Sequence, residues 1–339
     1  MPVVTIRDVA ARAGVSQATA SRALTGSDSV SAGAVAQVQA AVDELGYRTN
    51  RAARSLRTHR TDTIGLLISD VRNPFFSELS YVIEQAAAEQ GIAVITTNAD
   101  ERVERQTDSL RALTMQQVDG LIIVPQGDGA LEEIPEDIPV VLLDRRVSGV
   151  DAPVMHSDNR AGSRLMIDHL IGLGHTDIAL ISGPQATSTG QERFAAAIER
   201  LHGHGCGPRE DCLVEGDFQL ASGYRAATHL LDLPQRPSAI FAGDNLMAFG
   251  ALQAIRERGL RIGHDVALVS FDDADWFPLL DPPMTVISQD VHALGMRAFD
   301  TLQARMDGQD TQDVCLPVRI TVRGSCGVGS TDLQARRRA

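Results

Sequence analysis

From residue 61 onward, short unbroken apolar runs alternate with segments of helical periodicity, and no other feature restricts the fold so tightly. Residues 64–68, 93–95, 121–124 and 140–143 form one series of such runs; residues 178–181, 239–241 and 266–269 form a second. Strands apolar on both faces belong to parallel sheets covered by helices on either side. Two series imply an α/β core of two doubly wound parallel-sheet subdomains, and 339 residues suffice for it.

The first 60 residues follow a different rule. Thr5 and Asp8 form a capping box that opens one short helix, and Ser16 caps a second. Gly14 permits the tight turn between them, with Val15 as its apolar anchor. Ala10, Ala13, Ala20 and Ala23 are small enough for two helices to cross closely, and Val9 and Leu24 complete a miniature core. Gln17, Ala18, Ser21 and Arg22 are left facing outward. Gln pairs bidentately with adenine, Arg with guanine, and an alanine methyl meets a thymine methyl, so this face is equipped to read a major groove. Ser31 caps a third helix, with Val35, Val38, Val42 and Leu45 at helical spacing, Gly46 as its stop and Tyr47 closing the small core. A short basic segment, residues 50–57, follows with Leu56 between arginines; a helix this short needs a partner to order it.

Net charge is −13, which by itself argues against nucleic acid. Its distribution reverses that inference. Eight arginines in residues 1–60 stand against Asp8, Asp28, Asp43 and Glu44, so the amino-terminal end is basic and the remainder is strongly acidic. The basic end suits phosphates, while the acidic bulk stays off DNA.

In open parallel sheets ligands bind beyond the carboxyl ends of the strands. The residues there are polar or aromatic: Asp70, Asn73, Phe75 and Phe76 after the first run, Asp144 after the fourth, then Arg193, Phe218, Asp244, Asp272, Trp276 and Gln289 in the second series. Carboxylates, amides and an arginine hold vicinal hydroxyls, and aromatic rings cover the apolar face of a sugar, so these residues suit a monosaccharide or polyol, with a pentose as the first candidate. Each residue taken singly also has a bland account: an Asp at a helix start as a cap, Phe76 or Trp276 as core.

In its order and spacing, Thr5-Ile6-Arg7-Asp8-Val9-Ala10, Ala13-Gly14-Val15-Ser16, Ser21-Arg22-Ala23-Leu24, Glu44-Leu45-Gly46-Tyr47 and Ala53-Arg54-Ser55-Leu56-Arg57, the chain resembles the LacI/GalR family of bacterial transcription regulators. The resemblance implies a helix-turn-helix domain over residues 1–49, a hinge over 50–60 and a periplasmic-binding-protein-like core over 61–325. The first lobe is expected mainly at 61–158 and the second mainly at 159–288, with the chain crossing between them more than once. A Gly/Ser- then Arg-rich tail, 326–339, is expected to be disordered. Residues 16–24 become the recognition helix, and the DNA-contacting set is Thr5 at the start of the first helix with Ser16, Gln17, Ala18, Thr19, Ser21 and Arg22. From the hinge come Asn50, Arg51, Arg54 and Arg57, with Leu56 matching the family's wedge into the minor groove. Asn73-Pro74-Phe75-Phe76, Asp144, Arg193, Phe218 and Asp272 match the family's ligand positions. Asp244-Asn245 departs from the usual Asn-Asp order, placing an acceptor-only carboxylate where an amide is common. Thr49, Ala20 and Ala32-Gly33 depart from the pattern as well.

The implied function is a repressor whose operator affinity is set by a small effector. One helix-turn-helix covers too few base pairs for a genomic address, so a homodimer on operator DNA is expected. No cofactor, metal or membrane partner is expected. With no apolar leader or span in the sequence, a cytoplasmic location follows. A transport-type sugar-binding protein would share the core but needs export. An enzyme would need a nucleophile, phosphate loop or metal motif, and none stands out. Cys206 and Cys212 near His202 and His204 match no zinc spacing, so the four cysteines are read as reduced thiols.

Overall fold

The computed structural model describes residues 4–24, 29–47, 60–127 and 131–327. It divides into two compact units, Met1–Thr61 and Asp62–Ala339.

The amino-terminal unit holds α1 (Ile6–Arg12), α2 (Gln17–Leu24) and α3 (Ala32–Leu45). The Asp8 carboxylate accepts from the Thr5 backbone N–H at 2.8 Å and from its hydroxyl at 2.7 Å, which fixes the start of α1. Ser16 accepts from the Thr19 N–H at 3.0 Å, and Gly14 turns the chain at φ +67°. Val9, Ala10, Ala20, Val38 and Ala41 are buried, with Ala13, Val15, Ala23, Leu24, Val42, Leu45 and Tyr47 packed around them. Val35, expected on this apolar face, is 39% exposed instead. It sits in the first turn of α3, before the helix reaches the crossing marked by Val38.

The second unit contains two six-stranded sheets. In chain order the strands are β1 (Thr63–Ile68), β2 (Ala93–Asn98), β3 (Leu121–Ile123), β4 (Val140–Leu143), β5 (Val154–Ser157), β6 (Ile178–Ser182), β7 (Leu213–Glu215), β8 (Ala239–Ala242), β9 (Ala267–Phe271), β10 (Thr285–Ser288), β11 (Val314–Leu316) and β12 (Arg319–Thr321). The helices are α4 (Pro74–Glu89), α5 (Val103–Met115), α6 (Asn159–Gly172), α7 (Ser188–Gly203), α8 (Leu220–Asp232), α9 (Asn245–Glu257) and α10 (Val291–Met306). The sheet orders are β11-β5-β4-β3-β1-β2 and β12-β10-β9-β8-β6-β7. Every pairing is parallel except β12 on β10, where Ile320 faces Ile287.

Alternation along single strands explains the double covering. Leu66 of β1 packs with Phe75, Leu79, Phe299 and Leu302 on one face, while its neighbour Leu67 packs with Leu110, Leu113 and Leu121 on the other. In the second sheet Ile181 and Leu180 part in the same way. The chain passes from the first lobe to the second after β5, returns after β10 to add α10 and β11, and crosses again to add β12.

One expectation is corrected at the carboxyl end. Cys326 is not the start of a disordered tail: with Ser325 it is buried in the second lobe, where the Ser325 hydroxyl donates to the Leu268 carbonyl at 2.6 Å. Residues 328–339, the rest of the expected tail, lie outside the described residues. Among the described residues no helix is long and apolar enough to cross a membrane.

Candidate functional site

Two sites emerge, one in each unit. On α2, Gln17, Ala18 and Arg22 are exposed, Thr19 and Ser21 are half-buried, and Ala20 points into the small core. Of the groups expected to face DNA, Gln17, Ala18 and Arg22 are therefore on the outer side of the helix, and Thr19 and Ser21 lie at its margin. Ser16 and Thr19 join hydroxyls at 2.8 Å, and Arg22 Nε donates to the Ala18 carbonyl at 3.3 Å, which lays the guanidinium along the helix surface. Thr5 is exposed at the start of α1. Asn50, Arg51, Arg54, Leu56 and Arg57 lie outside the described residues.

In the second unit the carboxyl ends of the two sheets face one another across a cleft. Asn73, Phe75, Phe76, Glu101, Asp144 and Arg145 line it from the first lobe; Thr189, Arg193, Phe218, Asp244 and Asp272 line it from the second. The lobes are drawn together so closely that only about 10 Å³ remains at the centre. A wider space of about 470 Å³ adjoins it, lined in part by Phe75, Asp272 and Gln289.

Backbone geometry at the strand ends aims these side chains. Asp144 follows β4 with φ +65°, Asp272 follows β9 with φ +67°, and Phe218 lies beyond β7 with φ +59°. Left-handed backbone at residues other than glycine is costly, and it concentrates where function outweighs stability. The Phe218 ring lies so near Gly183 that a Cβ there would sit 2.0 Å from the ring. Asn73 caps α4, accepting from the Phe75 N–H at 3.0 Å, and Asp244 caps α9, accepting from the Met247 N–H at 2.8 Å.

Two guanidiniums organise the charges. Arg145 grips Glu101 with both terminal nitrogens at 2.7 and 2.8 Å and lies 5.2 Å from the centre of the Phe218 ring. Arg193 stacks 3.7 Å from the centre of the Phe271 ring and donates to Asn159 Oδ1 at 2.8 Å, the Gly243 carbonyl at 2.9 Å and Asp272 at 3.3 Å. Asp272 also accepts from Gln289. Asp144 and Asp244 are less well served. Burial pushes Asp144 up to about 6 against the pull of Arg193 and Arg145, and pushes Asp244 up to about 7 against the bond from Met247. Asp144 Oδ1, Arg145 Nε, Thr189 Oγ1 and Asp244 Oδ2 are buried with no hydrogen-bond partner among the described residues, as is Gln289 Oε1 at the edge. Buried polar atoms are ordinarily paired, so this concentration marks a surface built for a polar molecule.

Not every expected residue arrives at the cleft. Trp276 does not: its ring packs edge-on to Phe249 and Phe277, at 4.6 and 4.4 Å between centroids, against the core of the second lobe. Asp70 is buried, but its carboxylate is taken up by Arg72 at 2.9 and 2.8 Å and by Gln219 at 3.0 Å, a bridge between the lobes beside the cavity. Glu101, Arg145 and Thr189 were missed. Arg145 and Glu101 obey the same strand-end rule as their neighbours, one directly after Asp144 and the other three positions beyond β2, and that rule could have found them. Among the described residues no group of three or more His, Cys, Asp or Glu side chains is placed to hold a metal ion. His204 pairs with Asp168 at 2.7 Å, and buried Cys212 accepts from Arg209 at 2.8 Å.

Residues 5–50 match the family described as bacterial regulatory proteins, lacI family, and residues 167–326 match the periplasmic binding protein-like domain. The chain is similar to the HTH-type transcriptional repressor PurR of Edwardsiella ictaluri, 34% identical over 96% of this chain and 98% of the relative. It is similar to the ribose operon repressor of Escherichia coli strain K12, 33% identical over 90% of this chain and 93% of the relative. Among solved structures, the Lac repressor dimer bound to operator and the anti-inducer ONPF superimposes with a TM-score of 0.86 at 32% identity, over 96% of this chain and all of that one.

Proposed function

This chain belongs to the lacI family of bacterial regulatory proteins, and we propose that it is a homodimeric transcriptional repressor whose hold on operator DNA changes when a monosaccharide or polyol enters the cleft. The cluster of unpartnered polar atoms at the meeting of the two sheets carries the effector half of this reading. Those atoms come from both lobes, so one molecule that satisfies them ties the lobes together. Its hydroxyls donate to Asp144 and Asp244 and accept from Arg145, while Phe75, Phe76 and Phe218 cover its apolar faces. A phosphorylated sugar meets a carboxylate surplus and is disfavoured. The ribose operon repressor among the relatives supports a pentose as the first candidate. In this reading the cleft binds its ligand and closes on it.

The exposed face of α2 carries the DNA half, with Gln17, Ala18, Ser21 and Arg22 reading base edges and Thr5, Ser16 and Thr19 holding the backbone. A two-fold dimer supplies two such helices for a pseudopalindromic site, as the operator-bound dimer of the Lac repressor supports. Calorimetry with pentoses, hexoses, polyols and their phosphates tests the effector, and gel shifts on neighbouring genomic DNA test the response. A neutral sugar or polyol should bind and change the shift. Binding of sugar phosphates alone would overturn the effector reading, and a monomer on operator by light scattering would overturn the dimer.

A further inference from the structure

Four carboxylates, Glu101, Asp144, Asp244 and Asp272, line the cavity against two guanidiniums, Arg145 and Arg193. Each guanidinium already has a carboxylate, although Arg145 Nε keeps a free donor for a ligand. Arg145 matches Glu101 in a two-pronged pair and stands 3.8 Å from Asp144, while Arg193 serves Asp272. Asp244 has no direct ion pair and feels Arg193 only at longer range: Oδ1 caps α9 and Oδ2, buried and without a hydrogen-bond partner, belongs to the cavity wall. Only 2% of Asp244 is exposed, so water does not solvate this carboxylate. From the opposite lobe Asp144 presents a second unpartnered oxygen, Oδ1. A neutral hydroxyl donates a hydrogen bond to such an oxygen but leaves the buried charge in place; an ammonium supplies donor and counter-charge together.

We propose that Asp244 is the charge-selecting residue of the cleft, and that it favours an effector bearing a protonated amine, an amino sugar or amino-polyol, over the neutral parent. The inference rests on the sugar-or-polyol reading of the cleft and narrows it. The order Asp244-Asn245 fits this division of labour. Asn245 Nδ2 donates across the lobes to Asn73 Oδ1 at 3.0 Å, so the amide serves lobe contact while the carboxylate is reserved for the cavity. Burial, with the neighbouring carboxylates Asp272 and Glu101, pushes Asp244 up to about 7 against the bond from Met247 and the charge of Arg193, which accords with a place for added positive charge.

The test is calorimetry on the full-length protein with two matched pairs, ribitol against 1-amino-1-deoxyribitol and D-glucose against D-glucosamine, at pH 7.5 in wild type and Asp244→Asn. Asparagine caps a helix as aspartate does, so α9 keeps its start. In wild type the amine of at least one pair should bind roughly tenfold tighter than its parent, a single charge-assisted bond's worth, and Asp244→Asn should erase that preference. If the neutral members bind as tightly as the amines in wild type, or if an amine preference survives Asp244→Asn, the inference is overturned while the polyol reading stands. If none of the four compounds binds and only sugar phosphates do, the polyol reading itself fails and this inference falls with it. Even where the variant folds poorly, equal binding of amines and neutral parents by the wild type overturns the inference.

Discussion

A carboxyl group buried beyond the reach of water titrates late, and Asp144 and Asp244 do so in the folded chain at about 6 and about 7 against an ordinary 3.8. Between about pH 4 and pH 7 the native state therefore holds protons that the unfolded chain has already lost, and stability falls as pH rises through that window. Asp244→Asn removes the titration while keeping the cap. It should raise the melting temperature at pH 8, a gain of about 1–3 kcal/mol, and change little at pH 4. Melts at the two pH values check it; a loss at pH 8 would mean that the carboxylate has a counter-charge in solution. At this scale the sequence was legible where a single rule sufficed. Asp144, Asp244 and Asp272 each follow an apolar run, and each reaches the cavity. Trp276 follows such a run too, but an aromatic ring beside a strand end satisfies the core as well as a cleft, and only packing against Phe249 and Phe277 decides. Glu101 and Arg145 stand 44 positions apart, so their pairing could not be read from neighbours along the chain.

Elements obey a coarser logic, in which small residues set how closely helices approach. A Cβ on Gly223 of α8 would lie 2.2 Å from the Met247 carbonyl oxygen, and one on Gly250 of α9 would lie 2.1 Å from that of Leu220. Since the obstacles are backbone atoms, no side chain can swing aside. Gly250→Ala should force α8 and α9 apart and destabilise the second lobe by about 1–3 kcal/mol or more; chemical denaturation measures it, and an unchanged midpoint would contradict the close crossing. These glycines were invisible as contacts in the sequence because the helices they join are known only once β6, β8 and β9 are placed. The amino-terminal unit was more transparent: its core is assembled from alanines and valines within forty positions, and local capping by Asp8 and Ser16 fixes two of its helix starts. On α2 the expected function gives a sharp outcome. Arg22→Ala should cost about 1–3 kcal/mol on operator and relax preference at one symmetric pair of positions. Competition gels distinguish this from a phosphate contact, which would lose as much on random DNA.

For the core as a whole, the question is what holds two lobes, crossed by three chain segments, against each other. Beside the Arg145 guanidinium over the Phe218 ring, hydrogen bonds span the cleft. Gln219 of the second lobe donates to Asp70 at 3.0 Å and accepts from Arg72 at 2.9 Å, Asn245 reaches Asn73 at 3.0 Å, and the Ser188 hydroxyl accepts from the Arg146 N–H at 2.9 Å. Hydrogen bonds of this kind contribute about 0.5–1.5 kcal/mol each and somewhat more with a charged partner, so closure is adjustable rather than locked. Part of this frame was legible, since alternating runs and helices predict two doubly wound lobes; the partners across the cleft were not, because Asp70 and Gln219 are 149 positions apart and meet only through the topology. Gln219→Ala removes both of that residue's bonds to the first lobe without touching the cavity wall. Ligand binding must then supply the closing energy that Gln219 gave, and a loss of about 1–2 kcal/mol weakens the tightest-binding sugar or polyol by roughly 5–30-fold. Small-angle scattering of the isolated variant should show a larger radius of gyration, returning toward the wild-type value when that ligand is added. Unchanged affinity together with an unchanged radius would mean that the lobes are held by other contacts, and that Asp70, Arg72 and Gln219 form a network with no part in closure.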